Sequence, residues 1–223
     1  MTLTELGAIT EANGLPLSDK TLLKLGEYAE LLRAKNQVVN LISRKDEENI
    51  LPKHILHSLT LILPSIPLSG IPEGARVFDL GTGGGLPGIP VSIARPDLSL
   101  TLCDSIGKKI AAVKEITTAL NLSRTDAIVD RAENLVMNKD HRNRYDVIIT
   151  RAVAPLDELV KWSHGLLKKS GSLLSLKGGN LDEELLKAKS MKFVKSISEE
   201  TLSLNGFDEF AKEEKKIVRV TVV

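Results

Sequence analysis

The chain has 223 residues, 42% apolar and 26% charged, and its 30 Lys and Arg against 29 Asp and Glu leave a net charge of +1. That is a globular composition, long enough to bury roughly 70% of the unfolded surface without covalent staples. The lone Cys103 excludes a disulfide framework and a cysteine-based zinc site, and the charge balance excludes wholesale coating of nucleic acid, though not a local basic face.

Residues 1–65 read as helical. Thr2 and Glu5 have capping-box spacing, and Gly14 with Pro16 ends the first segment. Ser18 can cap a second helix, in which Leu22, Leu25, Ala29 and Leu32 recur at helical spacing. Asn36 to Arg44 reads as a turn, and Lys53 to Leu63 as a third helix. Pro64, Pro67, Gly70, Pro72 and Gly74 mark a linker.

After residue 75 the rhythm changes to alternating strands and helices. Strands are predicted at Arg76–Leu80, Leu98–Cys103, Ala127–Val129, Asp146–Thr150 and Ser172–Leu176. Helices are predicted at Pro87–Arg95, Lys108–Leu120, Glu133–Met137, Leu156–Leu167 and Leu181–Lys189. This alternation implies a Rossmann-like, doubly wound α/β sheet with helices on both faces. Two further strands, Lys192–Ile197 and Ile217–Val223, have little helix between them and suggest an antiparallel end, for about seven strands in all. The expected division is a helical segment over 1–65 and an α/β domain over 75–223. No apolar run, Leu59–Leu63 included, approaches the ~20 residues of a membrane span. Met1–Asn13 contains Glu5 and Glu11 and no basic start, so it is not read as a signal peptide. A cytoplasmic location without a membrane partner is expected. Nothing demands a dimer, so a monomer is expected.

The strongest motif is Asp79-Leu80-Gly81-Thr82-Gly83-Gly84-Gly85-Leu86-Pro87-Gly88, directly after the first strand of the sheet. Such a sheet binds its ligand there, and glycines let the backbone come close. Pro87 suits a first helical position. A P-loop fails, because Ile89 and Pro90 hold the Lys and Ser/Thr positions. A dinucleotide fingerprint over Gly83, Gly85 and Gly88 starts too far past the strand. The better register is Gly81-x-Gly83-x-Gly85, beside Asp79, an acid that would favour a cationic ligand such as S-adenosylmethionine over a pyrophosphate. Asp104, about 20 positions after Gly81, ends the second strand and can accept hydrogen bonds from both hydroxyls of a ribose. That supports an adenosine ligand without choosing between NAD and S-adenosylmethionine.

These residues resemble the class I S-adenosylmethionine-dependent methyltransferases, and more narrowly the RsmG (GidB) family, which methylates guanine N7 in 16S ribosomal RNA. Beyond the Asp79–Pro90 string, the resemblance rests on Asn40-Leu41-Ile42-Ser43, Lys53-His54-Ile55-Leu56-His57-Ser58, Arg95-Pro96-Asp97, Asp104-Ser105-Ile106-Gly107-Lys108-Lys109, Arg131-Ala132-Glu133, Thr150-Arg151-Ala152 and Leu176-Lys177-Gly178, in family order. It spans about Leu31 to Gly178. Two positions depart from the family: His57 stands where Asp is common, and Ala34 where an aromatic is frequent. The resemblance implies a methyltransferase whose cofactor is S-adenosylmethionine and whose partner is 16S rRNA or a small-subunit precursor. It implies a methionine end of the cofactor at Gly81 and Leu86, a ribose at Asp104, an adenine beside Ala132 and Glu133, and Arg151 as a further cofactor-site residue.

Guanine N7 has a free lone pair and no proton, so methylating it needs no general base. An exocyclic amine would need one, commonly in an Asn/Asp-Pro-Pro-aromatic loop, and here the fourth strand runs into Arg151-Ala152-Val153-Ala154-Pro155. Cytosine C5 chemistry would need a nucleophilic cysteine, whereas Cys103 reads as a small core residue. No single catalytic residue is therefore assigned; the mechanism is positioning, with Arg151 holding the methionine carboxylate or an RNA phosphate. His54 and His57 lack the acid and third ligand of a metal site, and no metal is expected. Basic residues cluster in 139–169 and in 33–53. Arg44, Lys108 and Lys177, next to motif loops, and His54 are the expected RNA contacts. The rival readings are a catalytically silent RNA- or nucleotide-binding protein on the same fold, and an NAD-dependent oxidoreductase.

Overall fold

The computed structural model describes residues 1–223, and its organising feature is a seven-stranded sheet. The strands are β1 (Arg76–Leu80), β2 (Ser99–Asp104), β3 (Thr125–Val129), β4 (Tyr145–Arg151), β5 (Leu167–Gly178), β6 (Val194–Thr201) and β7 (Lys215–Val222), in spatial order β3-β2-β1-β4-β5-β7-β6. The first five are parallel; β7 lies antiparallel between β5 and β6. β1 is flanked by β2 and β4, so the strand order reverses beside it and a crevice opens at the carboxyl ends of these strands.

Successive strand residues face opposite ways, and the two faces hold separate cores. Val77, Leu102, Val147 and Ile149 point to one, Phe78, Leu80 and Ile148 to the other. The second is covered by α6 (Ala132–Leu135), α7 (Leu156–His164) and α8 (Asp182–Lys189). The first is covered by α4 (Gly88–Ala94), α5 (Gly107–Ala119) and the N-terminal helices.

Those helices begin where the caps predict. In α1 (Leu3–Ala12) Thr2 and Glu5 form the capping box, and in α2 (Asp19–Asn36) the Ser18 hydroxyl accepts from the Thr21 amide. Leu25, Ala29 and Leu32 of α2 are buried on the sheet's first face. The predicted third helix is less regular: a 3₁₀ turn at Arg44–Asn49, a π-helical turn at Leu51–Leu56, α3 (His57–Leu59) and a 3₁₀ turn at Thr60–Ile62. No helix is long and apolar enough to cross a membrane.

The Pro/Gly-rich stretch at 64–74 connects the two parts but is packed. Ile66 and Ile71 are buried, and Arg219 of β7 donates to the carbonyls of Leu68, Ser69 and Gly70. The helices of 1–65 thus share one core with the sheet. Asn13, just after α1, is bonded to the backbone of Asn205 through both its amide nitrogen and its oxygen, each at 3.0 Å. α9 (Glu209–Lys212) follows and places Phe210 against that core.

Candidate active site

The loop after β1 takes positive φ at Gly81, Gly83 and Gly85, a conformation that side chains disfavour. At Gly81 a Cβ would stand 2.4 Å from Val153 Cγ2, so glycine is what lets the β1 and β4 loops meet. Pro87 lies at the N-cap of α4, one position earlier than the sequence suggests. The Tyr28 hydroxyl, buried on α2, donates to the Gly84 carbonyl at 3.0 Å and ties the loop to the N-terminal helices.

Asp79 does not act as the sequence suggests. It is fully buried beneath the loop and does not line the cavity above it. Its Oδ2 accepts from the Thr82 hydroxyl at 2.6 Å and the Gly88 amide at 2.8 Å, while Oδ1 has no partner. Burial pushes its pKa up to about 7, against the pull of those two hydrogen bonds and the Arg151 guanidinium. It is a brace that joins the glycine loop to α4, not a charge displayed to a ligand.

A cavity of about 460 Å³ opens above the loop, within the range of small-molecule sites. Gly81, Gly83, Leu86, Asp104, Ala132, Glu133 and Arg151, predicted from separate motifs, all line it. Asp104 is braced by two backbone amides: Gly83 N–H donates to Oδ2 at 3.0 Å and Ile106 N–H to Oδ1 at 2.9 Å. An ionised carboxylate offers about four acceptor sites, so two remain for a ligand's hydroxyls. Leu41, Lys109, Val153 and Trp162 also line the cavity and were not foreseen. Cys103 is in its wall but buried, its thiol donating to the Asp130 carbonyl at 3.3 Å, and burial pushes it up to about 12. It has no nucleophilic character at neutral pH.

A second cavity, of about 440 Å³, lies against the first and shares Arg151 and Ala152 with it. Ala152 has φ +55, an uncommon backbone for alanine, held at the junction where β4 ends. The Arg151 guanidinium donates to the Lys53 carbonyl at 3.1 Å, and burial lowers its pKa from the ordinary arginine value. Lys53, His54, His57, Lys177, Lys215, Asp46 and Glu213 complete the polar wall.

The expected RNA contacts separate into two kinds. Arg44 and Lys108 are exposed on the surface and line neither cavity. Lys177 is not a free cation: its ammonium donates to the Ala154 carbonyl and to Glu184, both at 2.7 Å. Nor is His54 a phosphate-binding cation. Burial first, then Arg151, holds its pKa down to about 4, so it is neutral at physiological pH.

A family model described as GidB, rRNA small subunit methyltransferase G, matches residues 21–212. Ribosomal RNA small subunit methyltransferase G of Chlorobaculum tepidum is 42% identical over 183 residues, covering 82% of this chain and 80% of its own. The protein of the same name from Chlorobium limicola is 38% identical over 209 residues, covering 92% and 90%. Among solved structures, cofactor-bound Rv0187 from MTB superposes with a TM-score of 0.59 at 11% identity, covering 90% of this chain and 89% of its own. An Agrobacterium tumefaciens protein described as a predicted O-methyltransferase gives 0.59 at 12% identity, covering 76% and 80%. At these identities the structures speak for the fold alone, a class I methyltransferase sheet preceded by helices.

Proposed function

The chain belongs to the rRNA small subunit methyltransferase G family, and from that premise we propose that it methylates N7 of a guanine in 16S ribosomal RNA. It is an rRNA methyltransferase, and its cofactor is S-adenosylmethionine, which supplies a sulfonium-activated methyl group when bound.

The N7 reading is supported above all by what lines the second cavity: each of its acids is held in an ion pair and its histidines are weak bases. Asp46 and Glu213 are paired with Lys53 and Lys215. His54, held near 4, has little basicity, and His57 lies lower than the ordinary histidine value through burial. An acceptor that had to lose a proton would find in this cavity only ion-paired carboxylates and weakly basic imidazoles. Guanine N7 has no proton to lose.

The protein's task is then orientation, which can contribute about 7–11 kcal/mol to lowering the barrier. In this reading Gly81, Gly83 and Leu86 hold the methionyl portion, Asp104 the ribose hydroxyls, and Ala132 and Glu133 the adenine. Arg151, between the cavities, binds the cofactor carboxylate or an RNA phosphate. The acceptor base occupies the second cavity. Lys53, His54 and His57 of the helical segment 51–59 form one wall of that cavity.

The test uses small ribosomal subunits lacking the mark and methyl-labelled cofactor. Label is expected on one guanine, where borohydride reduction and aniline then cleave the chain, as a cationic N7-methylated base requires. Label that survives without cleavage places the methyl elsewhere on the base, and no transfer at all indicates a silent binder; either ends the reading.

A further inference from the structure

A third cavity, of about 420 Å³, opens at the opposite rim of the sheet, where β1 to β4 begin. Arg76 starts β1, Arg124 precedes β3 and Arg144 precedes β4; all three are exposed and line it, with the hydroxyls of Ser99, Thr101 and Ser123. Three guanidinium groups against one acid, Asp126, leave an excess of two positive charges. None of the three is in an ion pair. The other acids on this rim are engaged elsewhere, Asp97 with Arg95 at 2.7 Å and Asp146 with Lys168 at 2.6 Å. Arg124 donates to the Leu98 carbonyl at 3.3 Å and the Ser99 hydroxyl at 2.9 Å, and Arg144 to the Asp140 carbonyl at 3.1 Å. Neutral acceptors thus orient two of the guanidinium groups without cancelling their charge. The adjoining cavity along the β3 edge adds Lys114 but also Asp140, so the excess belongs to the arginine cavity.

Resting on the ribosomal RNA substrate of the function proposed above, we propose that the arginine cavity is a second docking site, which takes phosphate groups of the RNA backbone. Guanidinium forks and hydroxyls are the side chains that bind phosphate oxygens, and such contacts fix a protein's register on nucleic acid without reading its sequence. The one aromatic ring of the cavity, Tyr145, is buried, so it offers no platform on which a base could stack. The five residues of β1 separate this rim from the cofactor crevice by about 17 Å. A small ligand held here would stay at the far rim, whereas a folded rRNA is large enough to meet both ends of the sheet. The site therefore anchors the substrate away from the acceptor base. Its contribution is to binding that is equal in the ground and transition states, which lowers KM and leaves kcat alone.

The test measures the affinity of the full chain for deproteinised 16S rRNA, and for small subunits lacking the mark, between about 50 and 200 mM salt. Arg124→Gln combined with Arg144→Gln is expected to weaken both by about 10-fold near about 150 mM, and to make the salt slope shallower by about 1–2. KM for the subunit is expected to rise, with kcat and S-adenosylmethionine affinity unchanged. Lys187→Gln combined with Lys189→Gln removes the same charge from exposed positions on α8 and is expected to leave the slope as in wild type. If both pairs shift the slope alike, or the arginine pair shifts neither slope nor KM, the proposal fails. A shift confined to assembled subunits assigns the arginines to a ribosomal protein, and loss of ADP binding with rRNA affinity intact assigns them to a small polyphosphate; either overturns it. Should the arginine pair not fold, Arg76→Gln decides, because Arg76 bonds Asp146 through its backbone amide and the substitution breaks no side-chain hydrogen bond. An unchanged slope in that variant overturns the proposal. Wild-type protein that binds rRNA through these arginines but transfers no methyl group would instead remove the function, not this site.

Discussion

The Asp79→Asn substitution tests whether the acid under the glycine loop is a buried brace or a displayed charge. The folded carboxyl titrates near 7 and the unfolded one near 3.8. The folded chain therefore binds this proton more tightly, and stability drains away as pH rises between those values. Once both states are ionised, the burial of this charge costs on the order of 4 kcal/mol. An amide in its place has no charge at any pH. Its oxygen can accept from Thr82 and Gly88 as Oδ2 does, and its NH₂ takes the position of Oδ1, which has no partner. That unpaired donor costs about 1–3 kcal/mol, a cost the neutral wild-type carboxyl shares, because its proton sits on the same partnerless Oδ1. The variant is thus expected to be about as stable as wild type near pH 4, and more stable by up to about 4 kcal/mol near pH 8. The wild-type profile alone does not isolate the effect. His54 and His57 titrate lower in the fold than their ordinary value of 6.5, so they take up protons in the unfolded chain first and weaken the fold as pH falls below 6.5. Urea unfolding of both proteins across this range, compared as a difference, cancels the histidines. A difference that stays flat with pH, or a variant still weaker at pH 8, refutes burial as the governing influence on Asp79.

Asp104→Ala removes the acceptor of two backbone amides, Gly83 and Ile106, and any hold on ribose; S-adenosylmethionine affinity measured by calorimetry is expected to fall at least about 10-fold, and an unchanged Kd would contradict the assignment. Lys177→Met breaks the bonds to Ala154 and Glu184, so it is expected to lower Tm while leaving the salt dependence of RNA binding unaltered. Lys108→Glu, at an exposed position, is expected to do the reverse: Tm unchanged, RNA binding weaker, and the salt slope shallower by about 1–2. A Lys177 variant that changes the salt slope, or a Lys108 variant that does not, would reverse these roles.

What was legible in the sequence is what local spacing encodes. Part of the first cavity was readable because its residues come from strand ends, and the alternation of strands and helices brings strand ends together. Gly81 follows β1 and Asp104 ends β2, so one crevice collects both, while Arg151, at the end of β4, was expected there only through the family resemblance. Charge at a position is legible too, but whether that charge is already engaged depends on partners far along the chain. Lys177 meets Glu184 only because α8 folds back beside β5, and Arg151 meets the carbonyl of Lys53, 98 positions away. The loop's anchor at Tyr28 is similarly remote from Gly84. Asp79 misled for a different reason: an acid at a strand's end reads as displayed, and only the depth of the loop shows it covered. The histidines had a signal that spacing alone did not weigh. His54 and His57 sit among Ile50, Leu51, Pro52, Ile55, Leu56, Leu59, Leu61 and Ile62, a mostly apolar helical run in which Lys53 is the one exposed residue. Such a run is buried over most of its surface, and a histidine inside it is buried with it. Burial holds His54 neutral, whereas Lys108 stands exposed on the surface, so the two cannot serve RNA in the same way.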